Sequence, residues 1–350
     1  MSCFEKEDLV VATTPLHHTS YRNIIENFVK PENIHIIAMN EEYNQIAKVP
    51  EVEKCDVVVI THLFGQDMDL SILSDFKKKH NCLIIEDRVQ GGSLDIKFCH
   101  DIVDIAIYSM GMDKRPIALG GGYLYIKNRE QEFFNKLNKL YLSLEREKNS
   151  KRSIELLKKV PTYLLYNVRP FLYLFIMTLE FLSLFSEKFE IVNITKFYRK
   201  KNPGFIRSYC LYKPSFGLMK SMVENYHNHK KIDELYSSKY DQFVNSLSPV
   251  ILEHFFPWYK GNTCYTAYNT ILIEEHLVDQ FMAFMNSYTI STLANPTYKL
   301  FNKQYQGDTK DKKFNRGIVY LPSHVAMNQE EMDFLNERLI EFYIKFVKKK

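Results

Sequence analysis

The chain has 350 residues, enough to bury a sizeable core in one large domain or two smaller ones. Its 45% apolar and 25% charged residues are those of a globular protein, and a net charge of +4 with both signs interspersed argues against a nucleic-acid surface. The 6 cysteines include no CxxC pair and no histidine at metal spacing, which argues against a zinc site or disulfide scaffold and predicts buried thiols in a reducing compartment.

The start, with Glu5, Glu7 and Asp8 close to Met1, lacks the basic and then apolar stretches of a signal peptide. A cytoplasmic protein is expected. Leu9 to Ala12 reads as a strand and Tyr21 to Lys30 as a helix. Strands follow at Ile34 to Ile37 and Val57 to Ile60, then a helix from Leu70 to His80. Leu83 to Ile85, Ile105 to Tyr108 and Tyr123 to Ile126 complete the strands of this half. Short, continuous apolar runs separated by helices predict a mainly parallel sheet covered on both faces, an α/β architecture.

Glu130 to Arg152 reads as one charged amphipathic helix. Between Pro170 and Ser186 the only charge is Glu180, with Arg169 just before and Lys188 just after. That run is shorter than the ~20 apolar residues a membrane span needs. For Tyr163 to Phe185 a buried or subunit-interface helix hairpin is the first reading, a membrane-surface helix the second and a true span the third. Lys213 to Leu247 reads as helical, and Ser248-Pro249 breaks the pattern. The domains expected are a large α/β domain over 1–247, with an apolar helical insertion at about 150–205, and a small α+β domain over 248–350. In the latter, strands are expected near Tyr265 to Ile273 and Gly317 to Leu321, and helices over Val278 to Ser287 and Gln329 to Phe346. Asn302 to Asn315 reads as a polar loop.

In parallel sheets ligands gather at the carboxyl ends of the strands. His18, Asp87, Gln90, Ser109 and Lys114 all follow strands directly, so one crevice can collect them. An acid at one strand end, with a serine and a lysine beyond the next, is the pattern a pyridoxal phosphate site requires. The acid keeps the pyridine nitrogen protonated and the lysine forms the Schiff base. Taken singly, Asp87 reads as a turn or cap acid and Lys114 as a solvated lysine. Gly120-Gly121-Gly122 precedes a strand instead of opening a helix, unlike a nucleotide loop.

Several segments, in order, resemble the DegT/DnrJ/StrS-type sugar aminotransferases, a branch of the fold-type I pyridoxal phosphate enzymes. Ile85-Glu86-Asp87-Arg88-Val89-Gln90-Gly91-Gly92 is similar to that family's EDAAQ-x-x-G segment. Ser109 to Gly122 resembles its lysine segment, and His62-Leu63-Phe64-Gly65 its H-L-y-G strand end. Val319-Tyr320-Leu321-Pro322-Ser323-His324, followed by Asn328-Gln329-Glu330-Glu331, resembles its C-terminal signature. Tyr212-Lys213-Pro214-Ser215 lines up more loosely with its N-Y-R-M-S helix start.

The resemblance implies Lys114 as the lysine that binds the cofactor, Asp87 on the ring nitrogen, Gln90 beside the cofactor hydroxyl and Ser109 on the phosphate. It puts His18, or failing that His17, over the ring. It further implies an amino-acid donor, glutamate first, and a nucleotide-linked keto sugar as acceptor. Assembly is expected as a homodimer or as a hetero-oligomer with a homologue. Three departures are expected to matter. The chain begins at the family's first central strand, ahead of which a phosphate-holding helix start is expected. Leu211 stands where a neighbour-subunit Asn is expected, and the Lys114-to-Tyr212 stretch is longer than the family's. A catalytically inactive homologue serving as structural or regulatory partner is the alternative. A dehydratase of the same fold usually replaces the lysine by His, which Lys114 argues against.

Overall fold

The computed structural model describes residues 8–95, 100–111, 114, 120–127, 131–157, 160–161, 164, 168–189, 212–259, 264–266, 269–294, 298–300, 309–322 and 325–348. It divides into two compact units, Met1–Phe134 with Met222–Lys350, and Asn135–Ser221.

The first unit is built on a six-stranded sheet. Its strands in chain order are β1 (Val11–Thr13), β2 (Ile34–Ile36), β3 (Val57–Thr61), β4 (Leu83–Asp87), β5 (Ile105–Ser109) and β6 (Gly122–Ile126). They lie in the order β2-β1-β3-β4-β5-β6, all parallel except β6, which runs antiparallel to β5. Every residue of β3 is buried, as a central strand covered on both faces must be. Side chains alternate. Val11, Val57 and Val59 join a core with Ile25 and Val29 near the Thr19–Glu26 helix, whereas Ala12, Val58, Ile60, Ile84 and Ala106 face the larger core on the other side. The positions expected to be strands are strands, their bounds agreeing to within two residues. Gly122 is required where it sits, because any Cβ there would collide with the Tyr108 carbonyl of the paired strand.

A second core lies between a small antiparallel sheet, ordered Thr270–Leu272, Ile318–Tyr320, Leu293–Ala294, and the helices Pro249–Phe255, Val278–Ser287 and Gln329–Phe342. Asn328-Gln329-Glu330-Glu331, part of the resembling signature, is a capping box. The Asn328 side chain accepts from the Glu331 amide and the Glu331 carboxylate from the Asn328 amide, each at 2.9 Å.

Several helical expectations need correction. Lys213 to Leu247 is two helices, Phe216–His227 and His229–Ser246, parted at Asn228. Ser248-Pro249 does break the pattern, and a new helix starts there, with Pro249 in the first turn, where its missing N–H costs nothing. Residues 309–315 of the expected polar loop fall in the Thr309–Gly317 helix, and 302–308 lie outside the described residues. Its one large apolar residue, Phe314, is buried and stacks on Tyr43 at 4.0 Å between centroids, close to Phe64 and Trp258.

In the second unit the expected Glu130–Arg152 helix stops at Ser143, and Glu145–Arg146 pairs in parallel with Tyr212–Lys213. Helix resumes over Asn149–Leu157. Arg146 explains the break. Its guanidinium donates to the Pro214 carbonyl at 2.8 Å and lies 4.1 Å over the Phe216 ring. The apolar stretch forms the Arg169–Ser183 helix; Tyr163 lies outside the described residues. No helix among the described residues is long and apolar enough to cross a membrane.

Phe314 supplies the apolar side chain that ties its helix to the large core. Phe314→Ala is expected to lower unfolding free energy by about 3–5 kcal/mol, measured by urea denaturation. A loss below ~1 kcal/mol would place residues 309–317 as a surface loop.

Candidate active site

Asp87 is the last residue of β4 and is 3% exposed. Its Oδ1 accepts the Val89 amide at 2.9 Å, and Thr61, its register partner at the end of β3, places Oγ1 3.4 Å from Oδ2. The Tyr21 hydroxyl also hydrogen-bonds this carboxylate. Burial raises the Asp87 carboxyl above the usual range, opposed by the Val89 amide, the Tyr21 hydroxyl and the charges of His62 and Lys114. Burial and the neighbouring Asp87 push the Tyr21 phenol well up, so its proton stays in place to be donated.

Lys114 lies beyond β5 and is half-buried, its backbone amide closing a turn onto the Gly111 carbonyl at 3.0 Å. Its side chain is near enough to Asp87 to act on that carboxylate's charge. Ser109 ends β5, and its Oγ accepts the Gly111 amide at 3.3 Å, so the hydroxyl proton is available to an anion. Gly120 and Gly121 adopt positive φ, 140° and 78°, and carry the chain from the lysine turn back into β6. Gln90 is half-buried, and its carbonyl accepts the Gly65 amide at 2.8 Å.

The two histidines have different environments. His18 is exposed at the end of the Leu16–His18 strand. His17 is fully buried, with Nε2 2.6 Å from Thr13 Oγ1 and 3.1 Å from Thr14 Oγ1, and Nδ1 2.7 Å from Thr61 Oγ1. Both nitrogens of His17 thus face threonine hydroxyls. Burial lowers its imidazole to about 3, so the ring is neutral and carries a single N–H proton. Sequence reasoning found His17 only as the lesser stacking choice, and missed Tyr21 and Thr61 as partners of Asp87. A threonine at the end of each of two neighbouring strands was the available signal.

Counting protons links His17 to Asp87. Each hydroxyl has one proton to give. When Asp87 is ionised, Thr61 donates to Oδ2 and must accept from His17 Nδ1–H, and Thr13 donates to Nε2. The Val59 carbonyl, 3.1 Å from Thr13 Oγ1, then keeps the Thr14 amide at 3.3 Å. When Asp87 is protonated the chain runs the other way, and His17 carries its proton on Nε2.

Glu86 points to the opposite face of β4. Its Oε1 lies 2.7 Å from Arg88 Nη1 and 2.7 Å from His62 Nε2, the latter off a good hydrogen-bond angle. Burial pushes the Glu86 carboxyl up, but His62 and Arg88 outweigh it and hold the group below the usual range. Arg88 also reaches Asp67 Oδ1 at 2.6 Å, and His62 Nδ1 accepts the Met68 amide at 3.0 Å. The loop after β3 is thereby pinned to the end of β4. Among the described residues no cluster of His, Cys, Asp or Glu could hold a metal ion.

Nitrogen-15 NMR of labelled histidine is expected to show His17 moving its proton from Nε2 to Nδ1 as pH rises through the Asp87 titration, and Thr61→Val should uncouple the two. A His17 tautomer that stays the same across that titration would break the link.

No protein-family model and no curated protein matches the sequence. Solved structures do match. The DegT DnrJ EryC1 StrS aminotransferase from Brucella abortus is 11% identical, with a TM-score of 0.59 over 96% of this chain and 80% of that one. Helicobacter pylori PseC, an aminotransferase involved in the biosynthesis of pseudoaminic acid, is 12% identical, with a TM-score of 0.58 over 98% and 82%. S. venezuelae DesV, solved in complex with a ketimine intermediate, is 12% identical, with a TM-score of 0.63 over 97% and 80%. At such identities the likeness speaks of fold. The chain has the fold of the DegT/DnrJ/StrS-type aminotransferases, an α/β architecture of fold type I.

Proposed function

We propose that the protein is a pyridoxal phosphate-dependent aminotransferase that moves an amino group from an amino acid, glutamate in the first place, to a keto sugar carried on a nucleotide. The observation that supports this reading most is the buried Asp87 carboxylate at the end of β4, within electrostatic reach of Lys114 beyond β5. The solved neighbours are sugar aminotransferases in part, and one is described in its PMP form, from Streptococcus pneumoniae. That supports the cofactor and the substrate class.

The residues fit the group. A carboxylate offers about four acceptor positions. Val89, Tyr21 and Thr61 engage three on Asp87, which leaves one for a protonated ring nitrogen. Lys114 would hold the cofactor through its side-chain amine, Ser109 would donate its hydroxyl to the phosphate, and Gln90 would lie beside the ring hydroxyl. His17 is fully buried, so the exposed His18 is the histidine that would lie over the ring.

When bound, pyridoxal phosphate supplies the electron sink for breaking a C–H bond next to an amino group. Asp87, kept from water and held by Val89, Tyr21 and Thr61, keeps a negative charge at the ring-nitrogen position. Lys114 would take up and give back a proton at its Nζ. An amine beside a cationic ring gives up its proton more readily than in water, which suits this task. The inactive-partner alternative gains no observation of its own.

The test is a titration of the purified protein with pyridoxal phosphate, followed by visible absorbance and by amino transfer from glutamate. Wild type is expected to turn yellow and to transfer. Lys114→Ala should lose the absorbance of the linked cofactor and about 10²–10⁴-fold in transfer, with its far-ultraviolet circular dichroism unchanged. A wild type that stays colourless would overturn the reading, and absorbance surviving in Lys114→Ala would move the role to another lysine.

A further inference from the structure

The two units carry charge of opposite sign. Asn135–Ser221 holds 17 Lys and Arg against 6 Asp and Glu, a net of +11, although the whole chain is only +4. The rest of the chain is therefore at −7. In the same basic unit lies the apolar helix Arg169–Ser183, followed by a turn at Leu184 and Phe185.

At about 100° per residue, Phe171, Leu174, Met177, Phe181, Leu184 and Phe185 fall on one half of this helix and its turn, with Glu180 at the rim. Those six side chains are between 59 and 78% exposed, whereas Leu179 on the opposite half is 6% exposed. The outward half of this helix is thus apolar, the reverse of an ordinary surface helix. Lys188 is exposed just past the turn.

We propose that Asn135–Ser221 docks the enzyme on an anionic lipid surface. The helix lies in the plane of that surface, its apolar half at the acyl boundary and the basic residues of the unit among the head groups. Fifteen residues are too few to span, which needs ~20. They suffice for a helix sunk about 5–10 Å into the interface. Charge decides between lipid and a second copy. A two-fold contact through this face would set one +11 unit against another, whereas an anionic leaflet attracts the same charge.

Flotation of the full chain tests this, with vesicles of phosphatidylcholine alone and of phosphatidylcholine with phosphatidylserine, at low and high salt. The chain is expected to float with the anionic vesicles only, and less at high salt, because exposed charges are screened there. Leu174→Glu with Phe181→Glu should remove the floating fraction. Both residues are exposed, so the fold and cofactor absorbance should be unchanged. The result stands or falls apart from the aminotransferase reading, which flotation does not probe. A chain that stays soluble with both vesicles overturns the proposal, as does equal flotation on neutral ones. A dimer that the double variant dissociates, without flotation, gives the face to a second copy instead.

Discussion

A buried carboxylate is the constraint around which the first unit is organised. Moving an ionised group away from water is costly unless hydrogen bonds and charges replace the hydration. Asp87 receives that replacement from separate places in the chain. The Val89 amide comes from its own strand end, the Thr61 hydroxyl from the neighbouring strand, the Tyr21 hydroxyl from the helix after β1, and the positive charge of Lys114 from beyond β5. These contributors converge only if β3, β4 and β5 are parallel neighbours with their carboxyl ends level, which is the register observed. The sheet order is thereby tied to the chemistry.

Alternation along β4 gives the site its support. Asp87 faces the side of the small N-terminal core, and Glu86 the side of the large one, where Arg88, His62 and Asp67 gather. The turn after β3 takes Phe64 and Gly65 into positive φ, at 57° and 77°. Gly65 admits no Cβ, which would collide with the backbone of Thr266, and the Phe64 ring stacks on Trp258 at 4.3 Å. Gln66 completes the clamp by donating to the Trp258 carbonyl. The loop beside the site is held by Arg88 on one side and by Trp258 and Thr266 on the other. That is how a strand-end loop can position a residue without being rigid by itself.

Much of this was legible in the residues. Strands such as Val57–Thr61 and Leu83–Asp87 announce themselves because a strand buried on both faces needs an unbroken apolar run. The acid at one strand end and the lysine past the next were legible for the same reason, since the run shows where the strand stops. Thr309–Gly317 was not, because one phenylalanine among lysines and aspartates makes no periodic pattern, and its burial depends on Tyr43, Phe64 and Trp258 far off in sequence. The break before Glu145–Arg146 is also tertiary in origin, as it follows from what Arg146 binds 68 residues away. His17 and His18 are adjacent and identical in type. Only the pairing of their strand, and the threonines brought to it from β1 and β3, tells the buried one from the exposed one.

The central claim is that Lys114 is the cofactor lysine of a site organised by Asp87. Reduction of the pyridoxal phosphate-treated protein with borohydride, followed by peptide mapping, tests it most directly by fixing the cofactor to whichever amine holds it. The account predicts the pyridoxyl group on the peptide that contains Lys114, and a much lower yield from Asp87→Asn. Label on a different lysine, or none on any, would contradict it.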